Sequence, residues 1–300
     1  MDGILVVDKP AGPTSFDVVH RVRASLKVSK VGHTGTLDPM ATGVLPICLG
    51  AATRLAGYLT EGDKEYLATV ALGASTDTQD ATGTVLQARD VPAFTRAQLD
   101  QAIARFRGPQ QQIPPMYSAV KKDGKRLYEH ARAGREVERE ARSITVHAME
   151  LLDFGERELK IRVACSKGTY VRTLAHDLGE ALGCGAHLSA LRRTKSGPFG
   201  LENAAQLKEL VDLGPARREE ARRWLVPLAD AFAEFPAITL DAATLAKKVA
   251  HGQPLELPRS LEVVEGGKVR ILGPDGTMVA FAERKGPELR YLRVLLGSGA

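Results

Sequence analysis

Apolar and polar positions change their period several times along the chain, and each change predicts an element. Ile4–Val7 is an unbroken apolar run, which predicts a short buried strand ended by "DKPAGPTS". A helix follows: Pro13 and Ser15 mark its start, and Phe16, Val19, Val22 and Leu26 form its apolar face. "VGHTGTLDPMATGVLP", Val31 to Pro46, has no period and reads as loop; "AATRLAGYLT" reads as a short helix. "KEYLATVALG" alternates, with Tyr66, Ala68, Val70 and Leu72 on one face of a strand. "STDTQDATG" is turn chemistry, and "TVLQA" beyond it suits a hairpin partner.

Thr95 and Gln98 form a capping box before a helix that buries Leu99, Ile103 and Phe106 and stops at Gly108–Pro109. Residues 110–140 carry few core positions; Lys121 to Arg135 holds six Lys or Arg against two acids, which predicts a protruding, partly helical insertion. "ARSITVHAMEL" and "ELKIRVACS" alternate as strands. "SKGTY" turns into a helix with Val171, Leu174, Leu178 and Ala181 on one face, "AHLSALRRTKSG" reads as strand and then loop, and charged helical pieces fill Glu202–Trp224. From near Val249 onward the pattern is short strands and turns, with a hairpin signal at Asp275–Gly276. A larger α+β unit over 1–245 and a small β-barrel over 246–300 are therefore expected.

The 300 residues are 44% hydrophobic and 26% charged, ordinary for a soluble globular protein. A net charge of +5 favours a polyanionic partner. Three cysteines, Cys48, Cys165 and Cys184, without a C-x-x-C pair argue against a disulfide framework or zinc site and for a reducing cytoplasm. No apolar stretch approaches the length of a membrane span, so no membrane partner is expected. Phosphate-loop, dinucleotide, zinc-protease and serine-hydrolase motifs are missing, which leaves metal hydrolase and nicotinamide chemistry without support.

Asp38 is the only carboxylate between Asp17 and Glu61, in a window that holds Arg21, Arg23, Lys27, Lys30 and Arg54. Gly32, Gly35 and Gly43 permit close approach around it, Thr34, Thr36 and Thr42 supply hydroxyls, and Pro39 stiffens the chain after it. This suits a carboxylate held rigidly against a bulky ligand, with a plain Asp-Pro turn as the alternative. Such a group can attack a sugar or base carbon, and Arg172, at a helix start, can keep it ionised and in place. Tyr66 and Tyr170 could stack on an extruded base or be ordinary half-buried tyrosines. Lys121–Arg135, Lys160–Arg172 and Arg192–Lys195 are basic clusters suited to RNA phosphates, or simply solvated faces.

"GHTGTLDPMATGVLP", "DKPAGPTS", "KEYLATVALG", "IPPMYSAVKKDGKRLYEHARAG", "SKGTYVRTLAHDLG" and "HLSALRRTKSG" occur in that order and together resemble the bacterial tRNA pseudouridine synthases of the TruB class, from Met1 to about Gly200. The C-terminal stretch resembles the small PUA barrel such enzymes carry. The resemblance implies a mixed, largely antiparallel central sheet with flanking helices, and isomerisation of uridine 55 in the T loop of tRNA without metal or cofactor. It places the catalytic aspartate at Asp38, paired with Arg172, and the stacking tyrosine at Tyr66. Tyr170 and Leu191 should line the base pocket, and His33 should contact the rearranged loop. The insertion resembles a mobile thumb, with Tyr117, Lys121, Lys122, Lys125, Arg126, Arg132 and Arg135 on RNA, joined by Lys167, Arg192 and Arg193. A cytoplasmic monomer is expected. Two rivals remain: an RNA-binding protein indifferent to Asp38, and a hydrolase, which would want a second carboxylate that no pocket motif supplies.

Overall fold

Leu5 and Val7 point to one side of the first strand and Ile4 and Val6 to the other, and all four are buried. A strand covered on both faces reads as a continuous apolar run. The computed structural model describes residues 1–122 and 124–296. After this strand, β1 (Gly3–Lys9), come α1 (Ser15–Leu26), β2 (Val31–His33), β3 (Thr42–Leu49), α2 (Ala56–Thr60) and β4 (Lys64–Leu72). A separate hairpin, β5 (Ala74–Thr76) and β6 (Val85–Ala88), precedes α3 (Arg96–Ala104) and β7 (Gly108–Gln112). The ribbon β8 (Lys121–Lys122) and β9 (Lys125–Arg126) and helix α4 (Leu127–Arg132) lead into β10 (Arg142–Phe154) and β11 (Glu158–Cys165). Then follow α5 (Val171–Ala181), β12 (Ala186–Ser196), β13 (Phe199–Gly200), β14 (Ala205–Gln206), α6 (Leu207–Leu213) and β15 (Leu225–Val226).

The main sheet runs β14-β1-β3-β12-β4-β11-β10-β7, with β2, β13 and β15 attached to its sides. Its pairs are antiparallel except β1 with β14 and β3 with β12. The fold is therefore α+β with a mixed, largely antiparallel sheet. Helices α1, α3, α5 and α6 cover one face and share its core with Leu45, Ile47, Tyr66, Val70 and Val163. Behind β1 and β3 the opposite face packs on Phe199, Leu228, Phe232, Met278 and Phe281. Met278 and Phe281 belong to a second, curled half-barrel sheet of the PUA kind: β16 (Ala237–Thr239), β17 (Leu255–Glu256), β18 (Lys268–Leu272), β19 (Met278–Lys285) and β20 (Glu288–Val294), ordered β16-β18-β19-β20-β17. Asp275–Gly276 lies in its β18–β19 turn, where the Gly273 N–H donates to the Thr277 carbonyl at 2.8 Å. Residues 297–300 lie outside the described residues.

Several sequence expectations are corrected. Thr42 to Pro46, expected as the end of a loop, belongs to β3, the strand between β1 and β12. It is buried on both faces, so it does not alternate, and Pro46 is tolerated because the β2 ladder ends at Ile47. All of β12 is strand, including the half read as loop, and "GPQQQ" forms the edge strand β7. On α1 the buried face uses Val18 as well as Val19, Val22 and Leu26, whereas Phe16 is exposed and packs edge-on against His20. Ala181 on α5 faces solvent.

Candidate active site

Asp38 sits in the turn between β2 and β3, and neighbouring elements rivet that turn from three sides. Ser15, in the first turn of α1, donates from its hydroxyl to the Leu37 carbonyl (3.1 Å) and accepts from the Leu37 N–H (2.8 Å). Lys9, at the end of β1, is fully buried, and its ammonium donates to the carbonyls of Pro10, Pro39 and Ala41 at 2.9, 3.1 and 2.7 Å. Burial pushes the Lys9 ammonium down to about 8, against the opposing pull of Asp38. From β12, Arg193 donates to the carbonyls of Val44 (2.7 Å) and Gly35 (3.1 Å). Gly43, with φ +101°, allows the turn to lie against β12: a Cβ there would come within 2.1 Å of the Arg193 carbonyl oxygen.

The Asp38 side chain keeps 35% of its surface exposed, and its Oδ2 lies 3.0 Å from the Nε of Arg172. Arg172 is buried in the first turn of α5, and both of its other nitrogens are hydrogen-bonded. Nη1 donates to the Thr78 carbonyl (2.9 Å) and faces Asp80 Oδ2 (3.2 Å); Nη2 donates to the Tyr117 carbonyl (2.8 Å). A guanidinium fixed at every nitrogen presents one remaining edge in one orientation. Removal from water pushes the Asp38 carboxyl up, Asp80 adds to the rise, and Arg172 and Lys9 oppose it.

Asp80 was not singled out by sequence, which read its segment as turn chemistry. Its Oδ1 accepts from the Thr78 hydroxyl (2.8 Å), the Thr82 N–H (2.9 Å) and the Thr82 hydroxyl (2.6 Å), leaving Oδ2 for Arg172. A second carboxylate is thus present where none was expected, but it is buried and turned to Arg172, unsuited to protonate a leaving group. Thr-x-Asp-x-Thr signals an Asx turn, and nothing in the spacing says that the turn lies over α5.

Tyr66 on β4 and Leu191 on β12 are each 8% exposed and face the same side of the sheet. Tyr170 caps α5, held by Gln112 of β7, whose side chain accepts from the Tyr170 N–H (2.8 Å) and donates to its carbonyl (3.0 Å). Burial pushes the Tyr170 and Tyr66 hydroxyls up. His33 ends β2, half-buried, with its pKa pushed down first by burial and then by Arg193.

The insertion leaves and rejoins the sheet through the antiparallel pair β7–β10, so its two ends are adjacent. Lys121, Lys125, Arg126, Arg132 and Arg135 are exposed on it, and Arg126 and Arg132 lie over the Tyr128 ring. Lys122 is partly engaged, donating to the Glu138 carbonyl at 2.6 Å, and the Tyr117 hydroxyl is 3.4 Å from Asp77 Oδ2. Lys167 is exposed but paired with Glu61. Of Arg192 and Arg193, expected on RNA phosphates, Arg193 needs correction. Arg192 points to the opposite face of the sheet from Tyr66 and holds Asp8 with two nitrogens (3.1 and 2.8 Å). Arg193 is 1% exposed and out of reach of any phosphate. Among the described residues there is no cluster of metal ligands, and no helix is long and apolar enough to cross a membrane.

Asp38, Arg172 and Asp80 thus form one linked charge array between the main sheet and the insertion, and the comparisons with known proteins place the chain in a class, the pseudouridine synthases. Residues 23–171 match the family model described as TruB family pseudouridylate synthase (N terminal domain), and residues 172–233 match the tRNA pseudouridylate synthase B C-terminal domain. The chain is 49% identical to the tRNA pseudouridine synthase B of Burkholderia pseudomallei (strain 668), over 94% of this chain and 93% of that protein. It is 45% identical to the protein of the same name from Pseudomonas putida, over 94% and 92%. A chain from the crystal structure of a Cbf5-Nop10-Gar1 complex superposes with a TM-score of 0.76 at 31% identity, covering 98% of this chain and 85% of that one. Another, from an H/ACA RNP bound to a substrate RNA containing 2'-deoxyuridine, gives 0.75 at 28%, covering 99% and 86%. The chain belongs to the TruB family of pseudouridylate synthases, and is an isomerase.

Proposed function

We propose that the protein converts uridine 55 in the T loop of tRNA to pseudouridine, with Asp38 as the essential carboxylate. The observation that carries this reading is the 3.0 Å pair between Asp38 and a braced Arg172, with the Asp38 charge felt by the buried Tyr66 hydroxyl. A loop uridine is extruded at a cost of a few kcal/mol, and its uracil stacks on Tyr66, which returns about 1–3 kcal/mol. Asp38 either attacks C1′ or first takes the C2′ proton; in both routes the N1–C1′ bond breaks and the detached uracil carries the electron pair. The base turns within the walls made by Tyr66, Tyr170 and Leu191 and C5 attacks C1′, which releases the Asp38 carboxylate in the first route and, in the second, goes with return of the proton from Asp38 to C2′. The C5 proton is lost and N1 gains one, so the product is an isomer and no water is consumed. Partial exclusion of water keeps the detached base from escaping.

The exposed cations of the insertion grip phosphate and close the thumb over the T stem-loop, with His33 against the rearranged loop. The enzyme acts as a cytoplasmic monomer without metal or organic cofactor. Incubation with tRNA transcript, followed by digestion and chemical labelling of pseudouridine, tests the reading. Label at position 55 supports it; free uracil would support a hydrolase instead, and unmodified RNA with tight binding would support a passive RNA binder.

A further inference from the structure

Arg193 is among the largest fully buried side chains of the molecule, and no carboxylate pairs with it among the described residues. An unpaired buried cation is costly, which asks for a reason beyond packing. Nε and Nη2 are occupied by the Val44 and Gly35 carbonyls, which bracket the Asp38 turn. On the sheet Arg193 stands directly opposite Tyr66, on the same face. The groups facing this spot are Asp38 from the β2–β3 turn, Lys9 from β1, His33 from β2, Lys64 from β4, Cys165 from β11 and Arg172 from α5. Burial pushes the Tyr66 hydroxyl up, and the Arg193 charge works against that rise.

We infer that Arg193 is a positioning residue for the reaction, whose fixed positive charge stabilises negative charge on the Tyr66 oxygen while its two carbonyl bonds hold both ends of the Asp38 turn. The inference rests on the proposed isomerisation. In that reaction a proton leaves C5 and one arrives at N1. Tyr66 can do both, giving its phenolic proton to N1 and taking the one from C5, so that its oxygen carries transient negative charge and ends as it began. A cation already in place needs no reorganisation to meet that charge.

The test is the pH profile of single-turnover pseudouridine formation in wild type, Arg193→Gln and Arg193→Lys, with tRNA affinity and thermal unfolding measured alongside. Arg193→Gln should slow turnover at pH 7 at least about 100-fold with affinity changed less than about threefold, and its alkaline limb should lie above that of the wild type, because the phenol that gives its proton to N1 ionises at higher pH without Arg193, so the deficit narrows as pH rises. Arg193→Lys should stay within about tenfold of wild type and keep its profile. A Gln deficit equal at every pH, as a purely structural role gives, or no deficit, overturns the inference. Should Arg193→Gln fail to fold, Arg193→Lys decides: a rate as low as that of Asp38→Asn overturns it, and a rate within about tenfold supports it. Absence of pseudouridine with the wild-type protein would instead defeat the proposed isomerisation itself.

Discussion

Arg172 shows how one side chain is made into an instrument. Two carbonyls and Asp80 hold Nη1 and Nη2, and Nε meets Asp38. Asp80→Asn weakens that brace without touching the nucleotide. We expect the rate of pseudouridine formation to fall about 10–100-fold while tRNA affinity is retained, since a charged hydrogen-bond partner is worth roughly 1.5–3 kcal/mol; a rate within twofold of wild type would remove Asp80 from the site. Ionisation of Asp38 sets a second expectation. Its carboxyl is pushed up by removal from water, so protonation and loss of activity on acidification should occur above the ordinary aspartate value of 3.8. A rate profile whose acid limb lies at or below that value would contradict it. Asp38 was visible in the sequence as a lone acid in a basic, glycine-rich window, and its partner Arg172 as a cation at a helix start, which the family resemblance then paired with it. Asp80 and Lys9 were not visible, because their work depends on which loops the fold lays side by side.

At the scale of elements, legibility followed burial. The strands β4, β10 and β11 alternate and were readable; β3 is covered on both sides and β7 is a polar edge, so neither has the two-residue period. Capping was readable in part: the Thr95–Gln98 box starts α3 as expected, whereas α1 begins on a Thr14–Asp17 box where Pro13 and Ser15 had marked the start. The contact between the Asp38 turn and β12 depends on Gly43, where φ is positive and a methyl group would meet backbone. Gly43→Ala should therefore destabilise by about 2–4 kcal/mol, seen as a lower denaturant midpoint, and should lower activity by shifting Asp38. Unchanged stability would show that β12 yields at little cost.

For the whole molecule, charge matters more than any single contact. A net charge of +5 and the exposed cations of the insertion suit a long polyanion better than a small substrate. Affinity for tRNA should fall steeply with salt, by a slope of about 0.7–0.9 per phosphate contacted in a plot of log affinity against log salt. A flat response would argue that RNA is held elsewhere or otherwise. Neutralising Arg192 should matter little to this slope, since it is committed to Asp8 behind the sheet. The most direct test is the amount of pseudouridine at position 55 of a tRNA transcript after incubation with wild type and with Asp38→Asn. Wild type should convert the uridine while Asp38→Asn binds the same RNA and forms none; equal conversion by the two would contradict the catalytic role given to Asp38.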